Sequence, residues 1–206
     1  MIDLSFLVLG MLGNNTFVLA DEDTGEIAVI DPAVSCDELF EEIESKGGNL
    51  KYILLTHGHF DHVGGVKALK DRYNAQVCIS KDEMTLLNNS SLNGAALHSL
   101  ELDDVEVDVK LSDNDVIMLG DNEIKFITTP GHTKGSGCYI VNNWIFSGDT
   151  LFCQSIGRTD FPTSNHSEML NSLKKLKDIE GFYVVYPGHD IFTTLDAERE
   201  SNPYMK

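Results

Sequence analysis

The sequence predicts one domain of mixed sheet and helix, α/β or α+β, with two sheets sandwiched by helices. Three observations carry that expectation. Apolar runs of strand length recur in both halves, bounded by Gly, Asn and Asp turn signals. Three Ser/Asn-x-x-Glu patterns open helical stretches between those runs. No Pro/Gly/Ser linker divides residues 1–206, and each half runs strands, a helix and a strand ending in a histidine, without a fixed-period repeat.

Taken in order, residues 2–9, 15–20 and 26–31 read as strands, broken at Gly13-Asn14 and Asp23-Thr24-Gly25 and ended by Asp31-Pro32. Ser35 with Glu38 forms a capping-box pattern before a helix with Leu39, Phe40 and Ile43 on its apolar face, stopped by Gly47-Gly48. Tyr52 to Leu55 reads as a buried strand, Val66 to Tyr73 as a helix and Val77 to Ile79 as a strand. Ser80 with Glu83 is a second capping-box pattern. Residues 88–115 carry the weakest pattern: Asn88 to Asn93 suggests a loop, and Val105, Val107 and Val109 alternate with charges as an exposed edge strand would. The strand pattern resumes at Val116–Leu119, Ile124–Thr128, Cys138–Val141 and Trp144–Phe146. Asn165 with Glu168 opens a helix whose apolar face is Met169, Leu170, Leu173 and Leu176, and Val184 to Tyr186 is a last strand.

Composition narrows the function classes. Fifteen Lys+Arg oppose 33 Asp+Glu for a formal net charge of −18, while 42% of residues are hydrophobic and 23% charged. The apolar share supports a sizeable core and excludes a disordered chain. The acidity opposes a nucleic-acid backbone or an anionic membrane surface as partner, because the field of the whole molecule repels both. No run approaches the ~20 apolar residues of a membrane span. The first residues have an apolar patch but neither a basic n-region nor a small-residue cleavage site, so a cytoplasmic protein is expected. Cys36, Cys78, Cys138 and Cys153 form no CxxC pair and read as reduced, mostly buried thiols. Cys153, four residues after Asp149, reads as a packing residue, with a place at the border of the site as the alternative.

Chemistry concentrates in Thr56-His57-Gly58-His59-Phe60-Asp61-His62, three imidazoles and a carboxylate directly after a predicted buried strand. Histidines at i and i+2 on an extended loop converge on one ion, while Asp61 and His62, further round the turn, reach a second. One motif does not fill two sites, so further ligands are expected at later strand ends. Candidates are His132 in Thr129-Pro130-Gly131-His132-Thr133, Asp149 in Ser147-Gly148-Asp149-Thr150, and His189 in Tyr186-Pro187-Gly188-His189. Each follows a glycine, which suits close backbone approach. A carboxylate such as Asp149 can bridge two ions ~3.5–4 Å apart. His98 and His166, in polar surroundings, read as surface residues, and the acidic run from Asp103 to Asp108 as a solvated edge.

The pattern THxHxDH, then GHT, then GDT, then a late GH resembles the metallo-β-lactamase superfamily, and most closely its glyoxalase II-like hydrolase branch. The resemblance spans nearly the whole chain, and Ser155 to Phe161 looks like the compact, single-domain members of that branch. It implies a four-layer αββα sandwich with a dinuclear site at one edge. It also implies that His57, His59 and His132 bind one ion, that Asp61, His62 and His189 bind the other, and that Asp149 bridges. The implied cofactors are two divalent ions, taken as zinc, with iron or manganese accepted by the same donors. Arg158 falls where the family has a basic residue that contacts glutathione. Two departures are visible: Asp160 stands where a tyrosine is expected, and the 17 residues after His189 are too few for the C-terminal helical domain of glyoxalase II proper. A small-molecule thioester, gripped weakly at its tail, is therefore the expected substrate.

The implied mechanism is attack by a metal-bridging hydroxide on a carbonyl carbon, oriented by Asp61 as the catalytic carboxylate. A thiolate, of pKa ~8.5, leaves without a dedicated acid, which an amide would need. The alternative is a persulfide dioxygenase, which the Gly157–Phe161 stretch also resembles, with one iron at the positions of His57, His132 and Asp149. A non-catalytic metal-binding protein is the third reading, disfavoured because the donors divide into two sets with room for water. A lactamase proper is disfavoured by the missing export signal, and a nucleic-acid-processing enzyme by the charge.

Overall fold

Alternation in the opening runs builds a hairpin. β1 (Ile2–Leu9) and β2 (Asn14–Asp21) pair antiparallel from Ile2–Asp21 to Leu9–Asn14, in a computed structural model that describes residues 1–206. β3 (Glu26–Ile30) extends the sheet antiparallel to β2. The chain then crosses over through α1 (Asp37–Ser45) to β4 (Asn49–Leu54), parallel to β3, and through α2 (Phe60–Val63) and α3 (Val66–Tyr73) to β5 (Gln76–Ser80), parallel to β4. After α4 (Met84–Leu87) and a long loop, β6 (Val109–Leu111) closes the edge parallel to β5.

The second sheet starts as an antiparallel meander of β7 (Val116–Leu119), β8 (Asn122–Thr128), β9 (Gly137–Val141) and β10 (Trp144–Gly148). A small hairpin of β11 (Leu151–Phe152) and β12 (Ser155–Ile156) follows. Then α5 (His166–Lys177) returns the chain to β13 (Val184–Pro187), parallel to β10, with β14 (Thr193–Thr194) and α6 (Leu195–Ser201) completing the unit.

Three apolar clusters fix four layers. Phe17, Leu19, Ile30 and Leu54 of the first sheet meet Ile124, Phe126, Tyr139 and Phe146 of the second in the central layer. Leu39 and Ile43 of α1 and Val66 and Leu69 of α3 cover the outer face of the first sheet. Met169, Leu173 and Leu176 of α5, with Leu195 of α6, cover the outer face of the second. This is the αββα sandwich, and it places the C-terminal ends of the parallel strands together at one edge, where ligands bind in open α/β sheets. No helix is long and apolar enough to cross a membrane.

Several local expectations need correction. Asn165 caps α5, accepting from the Glu168 amide at 3.1 Å, but Leu170 is exposed and the buried face of that helix includes Ser172 instead. Ser35 does not cap α1: the helix starts at Asp37 with Cys36 as an N-cap without a side-chain bond, leaving its start to the first-turn charges of Asp37 and Glu38. Ser80 accepts from Asp82, and Glu83 turns away to loops described below, so no reciprocal box forms there. The edge strand is shorter than the alternation suggests. Val105 lies outside it, buried, with its backbone N–H and C=O both taken by the Asn88 side-chain amide at 2.9 and 3.0 Å. One side chain thus replaces the neighbouring strand. The helix α6, with Thr194 accepting from the Ala197 amide, lacked a long enough apolar period to be foreseen.

Cys78 and Cys138 are buried, and burial pushes their thiols up to about 12 and about 11, which makes them packing groups rather than nucleophiles. Cys153 is half-buried, and its neighbour Phe152 rather than Cys153 lines the site.

Candidate metal centre

All seven side chains singled out as donors stand at strand ends on one edge of the sandwich. The loop after β4 carries His57 and His59, and the short helix α2 that follows carries Asp61 and His62. His132 follows β8, Asp149 follows β10 and His189 follows β13. The structure brings their donor atoms into three overlapping sets, His57/His59/His132, His57/His62/Asp149 and Asp61/His62/His189, each with atoms within 4.8 Å of one another. His59 Nδ1 lies 2.9 Å from His132 Nε2. Asp149 stands between the halves: Oδ2 is 3.4 Å from His132 Nε2, while Oδ1 is 3.4 Å from His62 Nε2 and 3.8 Å from His189 Nε2. His189 Nε2 is also 3.1 Å from Asp61 Oδ2.

Whether this arrangement suits metal ions is tested by its unpaired atoms. Of the five buried side-chain N/O atoms without a hydrogen-bond partner, His57 Nε2, His62 Nε2 and Asp149 Oδ1 belong to this cluster. Leaving a buried polar atom unpaired costs about 1–3 kcal/mol, so three in one place mark a missing partner. Two rings are held at their other nitrogen: His132 Nδ1 donates to the Arg158 carbonyl at 2.9 Å, and His62 Nδ1 to Asp31 Oδ2 at 3.0 Å. Such bonds fix the tautomer and aim Nε2 inward, as metal-ligating histidines require. The donor set fits divalent ions.

Charge states agree. Burial, helped by neighbouring imidazoles, holds His57 well below the usual histidine range and His59 at about 3, and burial also lowers His132. Neutral rings are the ligating form. Burial opposes ionisation of Asp149, but His62 and His132 outweigh it and hold the carboxyl well below its usual range. His62 and His189 are the exceptions among the rings: burial lowers both, but at His189 the bond to Asp61 and the charge of Asp149 raise it above the ordinary value. Burial lowers His62, yet Asp61, Asp31 and Asp149 together raise it well above the ordinary value, so three carboxylates favour positive charge at this ring.

The sequence left several supporting residues unread. Asp31, at φ 49°, directly follows β3 and accepts from the Thr56 N–H at 2.8 Å, the Thr56 hydroxyl at 2.6 Å and His62. Asn14 puts its amide 2.9 Å from His62 Nδ1. Buried Glu83 accepts from the Gly58 N–H at 3.0 Å and the Gly135 N–H at 2.7 Å, clamping the histidine loop to the loop after His132. The only sequence signals were the Asp-Pro step at 31 and a Glu where a cap was expected. Glycine is required at 188, where a Cβ would stand 2.6 Å from Asp149 Oδ1 and 2.7 Å from His62 Cε1.

A cavity of about 570 Å³ opens over the cluster, with His59, Asp61, His132, Asp149 and His189 in its lining. Arg158 reaches its wall rather than the donors: Nε and Nη2 donate to Asp160 at 2.9 and 2.8 Å. His98 is exposed, as expected, but it belongs to the cavity lining, its ring 4.7 Å from that of Phe60. His166 is exposed and pairs with the Thr159 hydroxyl.

A four-layer αββα sandwich with paired His/Asp donor sets under an edge cavity fits a metal-binding protein. Comparison with known proteins makes the class specific. Residues 9–189 match the family described as the metallo-beta-lactamase superfamily. Hydroxyacylglutathione hydrolase GloC of Haemophilus influenzae is 32% identical over 193 residues, 89% of each chain. The crystal structure of BLEG-1 B3 metallo-beta-lactamase is 31% identical with a TM-score of 0.92, covering 99% of this chain and 100% of that one. TTHA1623 in a di-iron-bound form is 29% identical with a TM-score of 0.85, over 97% and 99% of the two chains. This chain belongs to the metallo-β-lactamase superfamily, whose members are largely metal-dependent hydrolases.

Proposed function

We propose that this protein is a metal-dependent thioester hydrolase of the hydroxyacylglutathione hydrolase type, working with two divalent ions, zinc in the first instance. The observation that carries the reading is Asp149, whose two carboxylate oxygens face different donor sets, one toward His132 and the other toward His62 and His189. His57, His59 and His132 would hold one ion, Asp61, His62 and His189 the other, with Asp149 shared. When bound, such ions supply Lewis acidity, acidifying water and polarising a carbonyl. Asp61, in the cavity lining beside His59 and His189, orients the attacking water. Arg158, held at the cavity wall by Asp160, is the cation nearest to where the tail of the thiol would lie.

The thioester choice follows from the leaving group. A thiolate of pKa ~8.5 departs unaided, whereas an amide nitrogen needs a proton. Outside the cluster the only lining imidazole is His98, and it makes no hydrogen bond to any of the seven donors. The relative named hydroxyacylglutathione hydrolase supports the same chemistry. A mononuclear dioxygenase would use His57, His132 and Asp149 and would leave Asp61, His62 and His189 as a complete donor set without a role. The test is elemental analysis and kinetics on one metal-replete preparation. Two metal equivalents and cleavage of S-lactoylglutathione are expected, with no oxygen uptake on glutathione persulfide and little turnover of a cephalosporin. One equivalent with oxygen uptake and no thioester cleavage would replace this reading with the dioxygenase.

A further inference from the structure

We propose that the cavity selects thioesters with a hydrocarbon acyl chain over short hydroxyacyl ones. The chemistry of this proposal rests on the thioester reading above; the binding preference does not. Beyond the donors, the wall is built from Leu12, Phe60, Leu92, Leu97, Phe152 and Phe161. They come from separate segments: the β1–β2 turn, the start of α2, the loop after α4, β11 and the stretch before α5. Leu12 is 49% exposed and Leu97 79% exposed, and neither joins any of the three core clusters. Lone exposed leucines are ordinary on protein surfaces. Here they converge, with four other apolar side chains, on one cavity whose floor holds the reacting groups. Water left between these side chains is released when a hydrocarbon fills the space.

The polar groups of the wall are mostly committed elsewhere. The Asn93 amide is used inside its own loop, donating to the Leu87 carbonyl at 2.9 Å and accepting from the Ala95 N–H at 3.0 Å. Arg158, the one Lys or Arg of the lining, is bidentate to Asp160, and its guanidinium lies 4.4 Å from the Phe161 ring centroid, adding a flat face to the wall. Ser91 and His98 remain at the rim, and His98 packs its ring against Phe60. A hydroxyl or carboxylate on the ligand therefore finds few free partners, whereas each added methylene finds carbon.

The test separates binding from catalysis. Metal-loaded protein is titrated calorimetrically with non-hydrolysable 2-oxoalkyl thioethers of N-acetylcysteamine, carrying two to eight acyl carbons. The matching thioesters and S-lactoyl-N-acetylcysteamine are assayed for turnover. Affinity should rise about two- to fourfold per methylene until the cavity is filled, and kcat/KM should rise in parallel. Leu12→Ser and Leu97→Ser should flatten both series without lowering thermal stability, since neither side chain is part of the core. A flat binding series in the wild type, or tighter binding of the lactoyl analogue than of the octanoyl one, overturns the proposal even if thioesters are cleaved. Rising affinity without any cleavage supports the apolar cavity and overturns the hydrolase reading instead.

Discussion

The first sheet delivers four candidate donors from a single six-residue segment, the loop after β4 and the start of α2, whereas the second sheet delivers three, one each from the ends of β8, β10 and β13. The two sides are held differently. The loop is tied by side chains: Asp31 takes Thr56 and His62, and Glu83 takes the Gly58 N–H. The strand ends are held by backbone and by missing side chains. The Gly188 N–H donates to the Gly148 carbonyl at 2.9 Å, and any Cβ at 188 would run into Asp149 and His62. A loop without a ladder needs buried carboxylates to satisfy its amides, while a strand end inherits its geometry from the sheet.

Asp149→Ala should break this comparison most completely, because it removes the one side chain that faces both donor groups. Metal content and turnover should both collapse, while His166→Ala, at an exposed ring that belongs to none of the donor sets, should leave both at wild-type values. Elemental analysis with thioester kinetics decides, and normal metal content in Asp149→Ala would overturn the donor assignment.

Asp31→Ala attacks only the loop side. It strands the Thr56 N–H and frees the His62 ring, so metal affinity should fall about 10–100-fold in chelator competition. Each buried donor left unpaired adds about 1–3 kcal/mol of destabilisation, read from the urea midpoint. If affinity fell no more than in a surface control, the loop would be self-supporting and the contrast between the sheets would vanish.

The smallest effect lies at the wall on the second-sheet side. Asp160→Ala releases Arg158 from an exposed ion pair that solvent screens to little net stability. KM for S-lactoylglutathione should fall roughly two- to fivefold at unchanged kcat, as expected when uniform binding is gained. An unchanged KM would show that the guanidinium does not meet the thiol tail at all.

The difference between the sheets also explains what could be read in advance. Strands and helices with clean periodicity, such as β8 and α3, stood out because their partners are implied by the pattern itself. Capping patterns were less dependable: Asn165 serves α5, but Glu83 is drawn off by backbone amides at Gly58 and Gly135, 25 and 52 positions away. Val105 looked like a strand residue and instead found its hydrogen bonds on the Asn88 amide.

The sequence by itself determined the histidine loop, since its four donors lie close enough along the backbone to share one turn. It also determined that His132, Asp149 and His189 follow strands, because glycine before each marks a chain that must pass close to another. Only the tertiary structure decided that Asp31, Asn14 and Glu83 support those donors and that Asp160 ties up Arg158 at the wall. It also drew Leu12 and Leu97, 85 residues apart in the chain, to one cavity. These are relations between segments whose own periodicities are silent about one another, and they arise only when the sheets pack and each buried polar group must find a partner.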